Sequence, residues 1–156
     1  MRRRLAGAFI ALLALWPTLA PGARADTPEF PDLDGYAWTS PDWFFRHGTR
    51  PMTAEFSTPD GLYCWVTWYL EMRYGCDGQL PGAPAGVNSV RVQHGKPGQF
   101  LNASSHDIPG APAMALEPNH YFNDAGVVCL VDDDGMTACG YGDHGFILKP
   151  SGSVAW

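Results

Sequence analysis

FNDAGVVCLVDDDGMTACGYGDHGF, residues 122–146, partly repeats FSTPDGLYCWVTWYLEMRYGCDG, residues 56–78. Each copy opens on a phenylalanine, Phe122 or Phe56, and reaches Gly-x-x-Cys within eight residues, at Cys129 or Cys64. Each then runs through an apolar stretch of strand-like composition and closes on a second cysteine, Cys139 or Cys76. All four cysteines of the chain lie in these two copies, so the repeat bears on both a disulfide framework and a fold. Four cysteines allow three pairings. The repeat favours the local one, Cys64 with Cys76 and Cys129 with Cys139.

The local pairing has a register. If Cys64 faces Cys76 across an antiparallel hairpin, Val66 faces Tyr74 and Trp68 faces Met72 on the same side. Thr67–Arg73 and Tyr69–Glu71 then occupy the other side. One face is apolar and the other mixed, as a half-buried sheet requires. In the second copy, facing cysteines leave Asp133-Asp134-Gly135 as a three-residue loop. That length, with glycine last, suits a type I turn ending in a left-handed residue. The tip of the first hairpin, near Leu70, has no Gly, Asn or Pro to favour a turn. Each bridge closes a short loop and is expected to contribute roughly 3 kcal/mol by chain-entropy reasoning.

The rest of the chain reads as strands between turns. The 18 glycines and 14 prolines punctuate it every several positions, and no long helical periodicity appears. Val90 and Val92 alternate with Ser89, Arg91 and Gln93 as a short half-buried strand. Residues 146–148 form another, ended by Lys149-Pro150-Ser151-Gly152. Residues 78–86 and 109–118 are connections. The one candidate helix covers 41–46, with Ser40 as cap, Pro41 in the first turn and Gly48 beyond the end. The expected fold class is all-β, a small sandwich or partly open barrel built on two disulfide-stapled hairpins.

Residues 1–25 read as an export signal. Arg2, Arg3 and Arg4 precede an apolar run over 5–15, and Ala23-Arg24-Ala25 supplies a small-x-small cleavage pattern, placing the mature start at Asp26. Pro17, Pro21 and Gly22 break the run too early for a membrane span, and no later segment is long and apolar enough to serve as one. The full chain has 10 basic and 16 acidic residues, a net charge of −6. Four of the basic residues (Arg2, Arg3, Arg4 and Arg24) leave with the signal, so the exported chain is more acidic still. Such a surface repels phosphate backbones, and nucleic acid is not expected as a partner. In an exported chain, an even cysteine count calls for disulfides.

The pattern F-x-T-P-x-G-x-x-C at 56–64, G-V-V-C at 126–129, G-M-T-A-C at 135–139 and H-G-F at 144–146 resembles small exported actinobacterial proteins of the mycobacterial type. That group carries no assigned activity. The resemblance therefore implies export and disulfide bonding and transfers no catalytic residue. It covers 56–156 and leaves 26–55 as a separate N-terminal segment packing on the β domain.

Several stretches invite a chemical reading. Asp132, Asp133, Asp134 and Gly135 resemble part of a calcium loop but lack the alternate ligand positions and distal glutamate of an EF-hand. A hairpin turn rich in Asp and Gly accounts for them without metal. None of His47, His94, His106, His120 and His144 has ligand spacing, so surface or turn positions are expected. Asp143 precedes His144, but neighbours on a strand point to opposite faces. His144 is therefore assigned to satisfying backbone groups in a bend. Ser104, Ser105, His106 and Asp107 read as a polar loop, because triad members normally converge from separate segments and G-x-S-x-G is missing. No catalytic residue, metal site or cofactor is assigned.

The aromatics carry more information. In the hairpin register, Trp65 and Tyr69 share the outer face with Arg73, and these three form the candidate binding site. Exposed aromatics among polar groups stack on sugars or bind a protein partner. The segment 26–55, with Trp38, Trp43, Phe44 and Phe45, has to bury its own apolar residues and is expected to fold over that face. The leading function is a binding module of the cell envelope or extracellular space, taking a protein or a glycan. The alternative is an envelope hydrolase with a dispersed His/Asp site.

Overall fold

The two cysteine hairpins each seed an antiparallel meander, and the two meanders pack face to face. The structure, a computed structural model, describes residues 28–45, 53–104 and 114–156. The expected signal at 1–25 lies outside them, as do His47, Ser105, His106 and Asp107. The strands are β1 (Ala37–Trp38), β2 (Thr53–Ser57), β3 (Tyr63–Tyr69), β4 (Glu71–Asp77), β5 (Ser89–Gln93) and β6 (Gln99–Leu101). They continue as β7 (His120–Asp124), β8 (Val127–Val131), β9 (Thr137–Tyr141), β10 (His144–Leu148) and β11 (Val154–Ala155). One sheet has the order β2-β3-β4-β5-β6 and the other β1-β7-β8-β9-β10-β11. The fold is thus an all-β sandwich.

The repeat in the sequence is a repeat of sheets. Across the first sheet, Phe56, Cys64, Cys76, Val90 and Phe100 stand opposite one another in a single row. Across the second, Phe122, Cys129, Cys139, Phe146 and Ala155 do the same. Each disulfide joins directly opposed residues, with Cα atoms 4.0 Å apart at Cys64–Cys76 and 4.2 Å apart at Cys129–Cys139. The first hairpin has the register expected of it, from Cys64↔Cys76 out to Tyr69↔Glu71. Leu70 at its tip takes φ +62° and is exposed. A leucine tolerates this costly backbone region because the disulfide and the strand pairs below it fix the tip. In the second hairpin, Gly135 supplies the left-handed residue at φ +79°. Asp132 N donates to Met136 O at 3.0 Å, which leaves 133–135 as the loop.

The facing rows meet in one core. Phe44, Phe56 and Phe122 form a cluster with ring centroids 5.1–5.9 Å apart, a spacing at which tilted and edge-on rings attract. Two polar bonds also cross between the sheets: the Trp68 indole donates to Asp124 Oδ2 at 3.0 Å, and the Tyr74 hydroxyl donates to His144 O at 2.8 Å. Burial raises the Tyr74 phenol well above its ordinary value, partly offset by hydrogen bonding to the backbone. Below about pH 10, the ordinary phenol range, the folded and unfolded chains both keep this proton. Above it the unfolded chain loses the proton while the folded chain retains it, so stability falls as pH rises. Tyr36, raised by burial and then by Asp132 and Asp133, adds in the same direction. Urea midpoints should therefore decline above about pH 10, and Tyr74→Phe should flatten that decline. An equal slope in the variant would show that the hydroxyl is not sequestered.

Two expectations need correction. The helix over 41–46 is instead a single 3-10 turn, Pro41–Phe44, capped by Ser40 Oγ accepting from Asp42 N at 3.3 Å. Phe44 is pulled into the core and Phe45 is already extended, bridging to Ala54, so no second turn forms. Residues 28–45 also do not cover Trp65. Phe30, Leu33 and Tyr36 pack on Leu130, Ala138 and Ile147, the outer side of the other sheet. β1 then runs parallel to β7 at that sheet's edge.

Candidate functional site

On the outer side of the five-stranded sheet, Glu55, Trp65, Gly75, Arg91 and Gln99 form one cross-strand row, and Thr67, Arg73 and Gln93 the next. Gly75 sits at the middle of the first row, where β4 and β5 run so close that a Cβ would come within 2.2 Å of Val90 O. A glycine there lets the two backbones approach and leaves no side chain between Trp65 and Arg91. The result is a cleft of about 270 Å3, with Trp65, Arg73, Arg91, Lys96, Pro97 and Gln99 among the residues lining it.

At one end the cleft is held by Asp77, in the next row of the same face beside Ser89. This carboxylate, 1% exposed, accepts the Trp65 indole N–H on Oδ2 at 3.0 Å. Its Oδ1 is buried without a hydrogen bond and lies 3.9 Å from an Arg91 Nη. A buried carboxylate with an unsatisfied oxygen is costly, and Arg91 is the cation close enough to offset its charge. Asp77 thus fixes the indole and biases the Arg91 guanidinium at once. At the other end, Glu71 accepts from Arg73 and from Gln93 Nε2, and these bonds hold its carboxyl below the usual range. Lys96 Nζ donates to Gln93 Oε1 at 3.2 Å.

Charge is unevenly placed. Among the described residues the cations are Arg73, Arg91, Lys96 and Lys149, and three of these four line this one cleft. Of the candidate site residues read from the sequence, Trp65 and Arg73 come together here. Tyr69 is placed by its backbone, opposite Glu71 at the hairpin tip, and its side chain lies outside the described residues. Arg91, Lys96 and Gln99 were not singled out from the sequence. Arg91 had one signal, the polar half of the alternation around Val90 and Val92, whose meaning depends on the β4–β5 register; Lys96 and Gln99 lie beyond that strand and had none.

The histidines divide. His120, the first residue of β7, places Nδ1 2.8 Å from Pro118 O in the turn that precedes the strand. His94 and His144 line a second, smaller pocket of about 180 Å3 with Tyr74, Tyr141 and Asp143, and His94 packs on Tyr141 at 5.7 Å between centroids. Asp143 and His144 line the same pocket because Asp143 belongs to the turn rather than the strand. It is the carbonyl of His144, not its imidazole, that takes part in a backbone-directed bond. Neither imidazole bonds a carboxylate among the described residues.

The acidic run is used structurally. Asp132 Oδ1 accepts from Asp134 N at 3.0 Å and Met136 N at 2.6 Å, closing the turn. No group of three or more potential metal ligands is assembled among the described residues. No protein family matches the sequence, and no curated protein or solved structure shows significant similarity to it. Two disulfides and no free cysteine point to an oxidising, extracytoplasmic environment.

Proposed function

We propose that the chain is a non-enzymatic binding module of the cell envelope or extracellular space, exported by its N-terminal signal, whose contact surface is the outer face of the five-stranded sheet. The observation that carries this reading is the gathering of three cations beside an immobilised tryptophan in a chain of net charge −6. Charge segregated against the net sign raises the local concentration of an oppositely charged ligand. The resemblance to exported actinobacterial proteins supports the same location. A second reading, an envelope hydrolase, is favoured by the pocket that gathers His94, Asp143 and His144. It ranks below binding because general-base catalysis needs an oriented imidazole, and no carboxylate orients either one among the described residues.

One experiment weighs both. Immobilised protein is incubated with envelope extract, and the retained material is compared across Arg73→Gln, His144→Gln and Trp43→Ala. Arg73 and Trp43 are exposed, so these changes leave the fold intact. Retention should fall in Arg73→Gln and persist in the other two. Equal retention by all would remove the cleft from consideration. Breakdown of envelope material that vanishes in His144→Gln would move the function to the smaller pocket.

A further inference from the structure

Resting on the binding reading above, we infer that the cleft beside Trp65 takes an acidic saccharide, a sugar ring carrying a carboxylate or phosphate. Three features of the cleft converge on that chemistry. Trp65 has its one polar atom committed to Asp77, so the ring offers the cleft an apolar surface alone, suited to the C–H face of a sugar. Arg91 and Lys96 supply charge. Arg91 Nε donates to the neutral Ser89 hydroxyl and Lys96 Nζ to the neutral Gln93 amide, while Arg73 is ion-paired with Glu71. Lys96 is held on a neutral partner, and Arg91 meets the Asp77 carboxylate only at 3.9 Å, beyond hydrogen-bond distance, so both keep N–H donors for charge-assisted bonds to an anionic group. The Gln99 amide makes no side-chain bond among the described residues and can both donate to and accept from hydroxyls.

Other anionic ligands fit less well. An extended acidic peptide gains its affinity from backbone pairing at a sheet edge, whereas Trp65, Arg73 and Arg91 lie on the face of β3, β4 and β5, each already paired on both sides. A long polyphosphate would meet the repulsion of the acidic remainder of the chain. The cleft's volume of about 270 Å3 is just under that of sites enclosing a drug-sized molecule. It suits one or two rings of a longer chain, with the rest in solvent.

The test uses the exported chain with its disulfides intact, following the indole N–H resonance of Trp65 by NMR during titration. The probes are a short oligogalacturonate, glucose 6-phosphate, a neutral cello-oligosaccharide and polyglutamate. The oligogalacturonate or the sugar phosphate should shift the Trp65 signal, and which of them binds tighter identifies the acidic group. Affinity should fall about tenfold or more in Arg91→Gln with Lys96→Gln, weaken with salt, and hold in Lys149→Gln. Equal binding of the cello-oligosaccharide would overturn the acidic requirement, and equal binding of polyglutamate would overturn the sugar. If neither acidic sugar binds while envelope material is still retained in an Arg73-dependent way, the saccharide inference fails and the binding reading stands. If retention is also independent of Arg73, both fail.

Discussion

Reduction of the two disulfides should lower the thermal midpoint by about 20 °C, enough to leave much of the chain unfolded near physiological temperature. The bridges span sequence separations of 12 and 10 residues. Loops of that size restrict the unfolded chain by roughly 3 kcal/mol each, or about 6 kcal/mol together. A domain of this class has only about 5–15 kcal/mol in total. Both bridges also lie in the core, where all four cysteines are buried, so no exposed loop can absorb the loss. Paired alanine variants, Cys64→Ala with Cys76→Ala and Cys129→Ala with Cys139→Ala, separate the two contributions. Each should release about half of the total and raise the denaturant m-value, because the unfolded chain expands when a cross-link is lost. An unchanged midpoint after full reduction would show that the sheets hold without their staples.

The sequence made the hairpins legible because a cysteine pair fixes parity. Once Cys64 faces Cys76, every neighbour on β3 and β4 is assigned a face, and a one-residue slip would turn Val66 and Tyr74 outward. The cleft was only half legible for the same reason. Trp65 and Arg73 lie within the stapled hairpin, whereas Arg91, Lys96 and Gln99 depend on how β5 and β6 pair beyond it. Asp77, the group that organises the cleft, follows a cysteine and precedes a glycine, and nothing in its local sequence marks it as a buried carboxylate.

The apolar residues at 30–36 cover the outer side of the second sheet rather than Trp65, and the signal for that was present in the sequence. In the second hairpin Leu130 and Ala138 alternate with the core residues Cys129, Val131 and Cys139, so β8 and β9 are apolar on both faces. A sheet of that composition needs cover on both sides. The first sheet has a mixed outer face and needs none. Phe30, Leu33 and Tyr36 go where apolar area remains to be covered, on the sheet opposite the cationic cleft.

Phe122→Ala should cost about 3–5 kcal/mol, the upper range for truncation of one core side chain. Phe122 is fully buried and packs against Phe44 at 5.1 Å and Phe56 at 5.2 Å. Those three rings come from the 3-10 turn, from β2 and from β7, so the cluster ties both sheets to the N-terminal segment. Truncation removes the area of one ring and strands the edges of two others. The surrounding strands cannot close the gap, because Cys129 opposite Phe122 is cross-linked to Cys139. Phe122→Leu keeps most of the buried area and should recover most of the loss. Urea titration distinguishes this effect from that of the disulfides. Loss of packing acts on the native state, so the midpoint should fall while the m-value stays constant. A loss below about 1 kcal/mol in Phe122→Ala would mean that the cluster collapses around the vacancy and that the two sheets are joined elsewhere.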